Sequence, residues 1–258
     1  MTGFSFSELI VVIIVGILFL DLKQLGQALR WLGRMKTKLF MFQSDLQTQL
    51  NSLIEEDNPP QAQPAYTSVY EWRRWGSDKA IQMPSLLKAA AARKILDHFK
   101  NWDQYQKSTC VALYCSLGDE VDTSALCEQV LQDNKILLLP YIREGKMYFA
   151  PVQNLQTDLN EGAYGIQEPN EKCCQIPYPQ PHLILIPGRC FDVYGGRIGR
   201  GKGFYDQFLA QNQGIRVGLA FNGQVAPKKL NLASHDIPMD YLLTENQLAP
   251  RQSQETHD

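Results

Sequence analysis

The chain is poor in the groups that most often carry chemistry. It has four histidines in 258 residues. His98, His182 and His235 stand without a partner pattern, so they read as structural and no catalytic histidine is expected. The six cysteines (Cys110, Cys115, Cys127, Cys173, Cys174 and Cys190) form no CxxC pair and no His–Cys metal spacing. Several lie in apolar runs, which suits reduced core thiols in a cytoplasmic domain. An excess of one charge is lacking too. The formal net charge is −2, so nothing favours nucleic acid as a partner. No internal repeat is visible, and no apolar run reaches the ~20 residues of an ordinary membrane span.

What is present is concentrated in Pro187 to Leu209, PGRCFDVYGGRIGRGKGFYDQFL. An aliphatic run, Leu183 to Ile186, leads into five glycines within nine residues, Gly195, Gly196, Gly199, Gly201 and Gly203. Arg197, Arg200 and Lys202 are interleaved with them, and a helix-like Phe204-Tyr205-Asp206 follows. Strand, basic glycine loop and helix together form a phosphate cradle. Glycine lets backbone N–H groups turn toward an anion, the cations add full charge, and a carboxylate nearby can hold a divalent cation. Gly196 to Lys202 fits GxxxxGK, but Gly203 stands where a P-loop needs Ser or Thr. GxGxxG fits poorly because the glycines alternate. The loop is therefore a nucleotide loop of neither standard kind.

This segment resembles the signature of the 5-formyltetrahydrofolate cyclo-ligases, also called 5,10-methenyltetrahydrofolate synthetases. Further segments resemble the family in the same order: Val111 to Thr123 with Glu120-Val-Asp-Thr, Ile136 to Tyr141, Met147, Tyr164 to Pro169, His235-Asp236, and Asp240 to Glu245. The likeness runs from about Tyr66 to Glu245. It implies ATP-dependent closure of the 5-formyltetrahydrofolate ring. The formyl oxygen is phosphorylated, N10 attacks, phosphate leaves, and 5,10-methenyltetrahydrofolate remains.

The resemblance also assigns residues. Arg200 and Lys202 are the expected catalytic cations. ATP is expected on Arg73, Arg197, Ile198, Gly199, Arg200, Gly201, Lys202, Gly203, Phe204 and Tyr205. Mg2+ is expected on Asp206 and Asp240. Folate is expected on Cys115, Glu120, Tyr141, Met147, Tyr164 and Tyr205. One departure stands out. The family opens with Lys-x-x-Leu-Arg, and counting back without gaps puts the arginine on Arg73, the leucine on Trp72 and the lysine on Val69. Losing one charged phosphate contact costs about 1.5–3 kcal/mol.

The N-terminus reads differently. Leu9 to Leu20 is uncharged and almost wholly aliphatic. It is followed by an apolar stripe at steps of three and four from Leu22 to Leu53, with Lys23, Arg30, Arg34, Lys36 and Lys38 in its first half. This reads as a short transmembrane helix and a basic amphipathic helix on anionic lipid, with everything after it on the cytoplasmic face of the plasma membrane. Phe6-Ser-Glu8-Leu, Gly16 and the stripe resemble the small membrane subunits of the twin-arginine translocase, although Asp21-Leu22 replaces the usual Gly-Pro hinge. Three readings stay open: a plain anchor, a translocase-like piece with translocase subunits or further copies of the chain as partners, and a soluble helix in a multimer core. The matching alternative for the whole chain is a translocase-like component carrying a degenerate, folate-binding domain.

The expected domains are 1–56 (membrane and amphipathic helices), 57–65 (a polar, proline-rich linker) and 66–258. Strands are expected at 111–116, 136–140, 147–152, 183–186, 217–221 and 241–244, and helices at 82–100, 123–133 and 204–213. Short aliphatic strands alternating with helices imply an α/β fold. It is expected as a three-layer, mostly parallel sheet with helices on both faces and ligands beyond the strands' C-terminal ends.

Overall fold

The computed structural model describes residues 66–253, apart from 67, 163–164, 232 and 234–235. The expectations for the membrane helix, the amphipathic helix, the linker and Tyr164 lie outside the described residues. Among the described residues, no helix is long and apolar enough to cross a membrane.

The described residues open with α1 (Val69–Gln82), α2 (Ser85–Lys100) and α3 (Asp103–Lys107). It continues through β1 (Cys110–Ala112), α4 (Ser124–Gln132), β2 (Ile136–Arg143), β3 (Lys146–Val152), β4 (Leu159–Glu161) and β5 (Gln167–Pro169). Then come β6 (Leu183–Pro187), β7 (Cys190–Phe191), β8 (Arg197–Ile198), α5 (Phe204–Leu209), β9 (Ile215–Leu219), β10 (Tyr241–Leu243) and β11 (Leu248–Pro250). Seven strands form one sheet in the order β11-β10-β9-β6-β1-β2-β3. The five central strands are mutually parallel, and β3 and β11 close the edges antiparallel. The expected mixed α/β fold with a mostly parallel sheet is thus observed.

Alternation along each strand builds two cores. Val111, Leu137, Leu139, Leu183, Leu185 and Val217 face α2 and α4 through Ile95, Phe99, Leu126 and Val130. Cys110, Ala112, Leu138, Ile184 and Ile186 face the other layer, where Leu209 and Phe208 of α5 pack beside Phe149 and Met239. A central parallel strand is covered on both sides, which is why all four residues from Leu183 to Ile186 are aliphatic and buried.

Some bounds differ from expectation. The strand at 111–116 ends at Ala112, after which the chain leaves the sheet toward the cleft described below. The helix at 204–213 is only Phe204–Leu209. A separate α1 precedes the helix expected from 82. Its start is fixed by a capping box, in which Ser68 accepts from Glu71 N and the Glu71 carboxylate accepts from Ser68 N. Gly76 in α1 sits on the turn after β6, where an added Cβ would fall 1.8 Å from Arg189 O. Only glycine permits that approach, and it brings the first turns of α1 over the C-terminal end of the sheet.

β1 sits where the strand order reverses. Its chain neighbours lead to β2 on one side, while β6 pairs on the other. Such a switch point opens a crevice, because the connections leave in opposite directions.

Candidate active site

A cleft of about 590 Å³ opens at this switch point. Tyr114, Cys115 and Glu120 come from the turn after β1, and Pro187 and Gly188 from the end of β6. Pro140, Ile142 and Met147 of the β2–β3 hairpin form one wall. Val69 and Arg73 of α1 and residues 197–206 line the cleft as well.

The glycine loop is shaped from below by Asp192. This buried carboxylate accepts from Tyr194 N and Gly196 N at 2.8 Å and from Leu230 N at 2.7 Å. Three charge-assisted bonds pin the turn between β7 and β8. Gly201 lies at φ +90°, a conformation that any side chain strains. Arg73 lies across it, and its Nε donates to Gly199 O at 2.8 Å. Gly203, at φ +69°, caps α5.

Arg197 is buried, and its Nη2 donates to both oxygens of Asp206 at 2.9 Å. Its Cζ lies 5.7 Å from the Tyr205 ring centroid. Asp206 Oδ1 also accepts weakly from Ile237 N at 3.4 Å. Arg197 therefore holds Asp206 in place rather than reaching freely for phosphate, and its Nε has no hydrogen-bond partner among the described residues. Burial, with the Glu120 charge second, pushes the Tyr205 hydroxyl far above its usual range, so it stays neutral.

Arg200 crosses the mouth of the cleft. Its Nη2 meets Asp119 Oδ1 at 2.5 Å, and its Nε donates to Glu120 Oε1 at 3.0 Å. Glu120 Oε2 accepts from Leu117 N at 3.0 Å. Lys202 is exposed on the rim. The Cys115 thiol is pushed up to about 11, first by burial and then by Glu168, so at neutral pH it is a thiol and not a nucleophile.

The structure thus brings together Arg73, Arg197 to Asp206, Cys115, Glu120 and Met147. Two expected residues lie elsewhere. Tyr141 does not line the cleft. Successive residues of β2 face opposite sides, and Pro140 and Ile142 take the cleft side. Tyr141 instead stacks on Tyr148, ring centroids 5.6 Å apart. Asp240 sits where β9 and β10 begin, beside Arg216, three residues before the Leu219 that pairs with Pro187 at the cleft end. At ~3.3 Å per residue that is roughly 10 Å down the sheet. Its Oδ2 accepts from Arg216 N at 3.0 Å and Nε at 2.8 Å, and its Oδ1 from Arg216 Nη2 at 2.6 Å. Burial would raise its pKa, but these bonds outweigh burial and hold the carboxyl below its usual value.

Sequence reasoning missed Ile142, Glu168, Asp119 and Arg189. Strand alternation signals Ile142, and Glu168 lies inside the Tyr164–Pro169 motif already singled out. Val69 does line the cleft, so the departure from lysine falls at the site itself. For a metal, no cluster of three His, Cys, Asp or Glu side chains exists among the described residues. Asp206 offers one carboxylate on the cleft wall. That fits Mg2+ carried with nucleotide phosphates and water, which needs one or two protein carboxylates.

Comparison with known proteins agrees with this architecture. The model of the 5-formyltetrahydrofolate cyclo-ligase family matches residues 44–245, so the match begins inside the stretch read above as an amphipathic helix. The chain is 28% identical to the mouse 5-formyltetrahydrofolate cyclo-ligase over 167 residues, 60% of this chain and 80% of that protein. It is 29% identical to the Haemophilus influenzae 5-formyltetrahydrofolate cyclo-ligase over 163 residues, 61% and 87% of the two chains. The NMR structure of Aquifex aeolicus 5,10-methenyltetrahydrofolate synthetase superposes with TM-score 0.64 at 31% identity, covering 74% of this chain and 96% of that one. A 5,10-methenyltetrahydrofolate synthetase from Mycoplasma pneumoniae, at 18% identity and TM-score 0.54, shares the fold. With a family model matched across most of its length on top of the cleft geometry, the chain belongs to the 5-formyltetrahydrofolate cyclo-ligase family.

Proposed function

We propose that the protein converts 5-formyltetrahydrofolate and ATP to 5,10-methenyltetrahydrofolate, ADP and phosphate. The observation that carries this reading is the meeting, in one cleft, of a basic glycine loop with Glu120 and an apolar wall. The terminal phosphoryl group passes to the formyl oxygen, which converts a poor leaving group into phosphate. N10 then attacks the formyl carbon, and the C–O bond to phosphate breaks. Little acid–base machinery is needed. Alignment and positive charge supply the rate.

Arg73 and the N–H groups of Gly199 to Gly203 cradle the phosphates, and Arg200 and Lys202 stabilise the transferring group. Glu120 accepts pterin N–H donors as a two-oxygen acceptor. Met147, Ile142 and Tyr205 pack the ring, and neutral Cys115 lines its floor. Asp206, oriented by Arg197, would hold Mg2+, which supplies charge neutralisation on the phosphates. The membrane tether of residues 9–20, with the folded domain on the inner face of the plasma membrane, belongs to the same proposal. Membrane fractionation of cells with and without those residues tests it.

The direct test follows absorbance of the methenyl product with the full-length chain, 5-formyltetrahydrofolate, ATP and Mg2+. ATP-dependent product establishes the activity despite Val69. A second reading has Val69 behind it: a chain that binds folate without turning it over. Tight folate binding with no product would favour that reading.

A further inference from the structure

The geometry points to Asp119, gripped by Arg189, as a positioning residue that parks Arg200 across Glu120, so that nucleotide and folate each release the other's binding group. This rests on the reading above, with Arg200 on phosphate and Glu120 on the pterin.

Asp119 lies between two arginines. One carboxylate oxygen faces Arg200 Nη2 and the other faces Arg189 Nη1. Arg189 Nη1 also reaches Ser77 Oγ of α1, so the grip is tied to the helix that carries Arg73. The Asp119 side chain is 12% exposed and that of Glu120 7%, while Arg200 is 37% exposed. The more enclosed members are the half-buried acids, and the outer member is Arg200.

Consider Arg200 turning to a phosphate. Asp119 keeps Arg189, so it is not left without a cation, a condition that is otherwise strongly unfavourable. Among the described residues Glu120 then keeps only Leu117 N, on Oε2. Its Oε1 is then bare beside the cleft and ready for an N–H donor. The reverse also holds, because a donor arriving at Oε1 displaces Arg200 Nε. One ion pair must open for either ligand. The first ligand opens it, and the second finds it open. Positive coupling between the two ligands follows, equal in both directions by linkage. A factor of about ten is expected, within the usual range of such couplings.

The test is titration of the full-length chain with AMP-PNP and Mg2+, with and without saturating 5-formyltetrahydrofolate, by calorimetry. In the natural chain folate tightens AMP-PNP about tenfold. Asp119→Asn weakens the parking, so AMP-PNP alone binds more tightly and the coupling falls to about threefold or less. Arg189→Met acts oppositely, because Asp119 then has no second cation and grips Arg200 harder. AMP-PNP alone binds more weakly, and the coupling rises. General structural damage would not move the two variants in opposite directions. Thermal melting shows whether each is folded, and either folded variant alone decides the direction. Both ligands binding to the natural chain with no coupling overturns this inference and leaves the proposed function standing. Neither ligand binding overturns both.

Discussion

Two aspartate–arginine pairs stand at opposite ends of the same sheet, and they differ in how the arginine takes hold. At the cleft, a single nitrogen of Arg197 spans both oxygens of Asp206. At the base, Arg216 engages Asp240 with Nε, Nη2 and its own backbone N–H. A carboxylate has about four acceptor sites. The base pair fills three of them with bonds of 2.6–3.0 Å, whereas the third bond to Asp206, from Ile237 N, is a weak one at 3.4 Å, which leaves that carboxylate more capacity toward the open side. Identical residue types thus leave a carboxylate with spare acceptor capacity in one place and make a tight clasp in the other. The difference comes from which end of a parallel strand each aspartate adjoins.

The comparison predicts that charge removal at the cleft end costs activity, and at the base end stability. The largest effect is expected for Lys202→Ala. It should lower kcat/KM about a hundredfold, the upper range for one charged phosphate contact. Normal turnover by that variant would remove the loop from the phosphate site. Asp206→Asn should lower activity about tenfold and raise the Mg2+ concentration needed for half-maximal rate; an unchanged Mg2+ requirement would place the metal elsewhere. Asp240→Asn should keep activity within about twofold while losing about 2 kcal/mol in urea unfolding. A loss of turnover there would erase the contrast.

A pH series sharpens the same point. The Asp240 carboxyl titrates below its unfolded value of about 3.9, because the bonds from Arg216 outweigh burial. Its contribution is full above the unfolded pKa and is lost as pH falls through the folded one. Unfolding measured from pH 5 down to pH 2 should therefore show a steeper acid loss in the natural chain than in Asp240→Asn. The smallest effect concerns Cys115. With its thiol pushed up to about 11, alkylation by iodoacetamide should be slow at pH 7.5 and rise steadily toward pH 10. Rapid labelling at neutral pH would mean a thiolate in the cleft.

How much of this was legible in the sequence depended on the range of the forces involved. The aliphatic run of β6 and the alternating glycines are local signals, and both landed where the pattern put them. Helix α1 was missed because its buried stripe is Trp72, Gly76 and Ala80, mostly small residues with weak periodicity. Its clear marker was the Ser68–Glu71 capping box. Leu113 to Cys115 read as strand because it is apolar, yet it is apolar to form a turn and a cleft floor. Tyr141 falls one residue out of phase with Pro140 and Ile142, because a motif carries no information about strand alternation. Asp240 needed the strand register, which only tertiary structure supplies. The ties of Asp119 to Arg189 and Arg200 join residues roughly 70 to 80 positions apart, and no local pattern announces them.

The β2–β3 hairpin outruns the strand beside it. β1 pairs with β2 only as far as Leu138, yet β2 runs on to Arg143 against β3. Ile142 and Met147 thus stand on a two-stranded ribbon that runs past the end of β1 and is backed by β5 and the short turn Cys173–Gln175, and two-stranded ribbons are marginal in rigidity. A weak bond from Ile142 N to Glu168, at 3.4 Å, is a soft tether for it. The apolar jaw of the cleft is therefore its compliant side, while the glycine loop, fastened by Asp192, is the anvil. A bulkier ring system should press on the hairpin first and on the geometry of the glycine loop last.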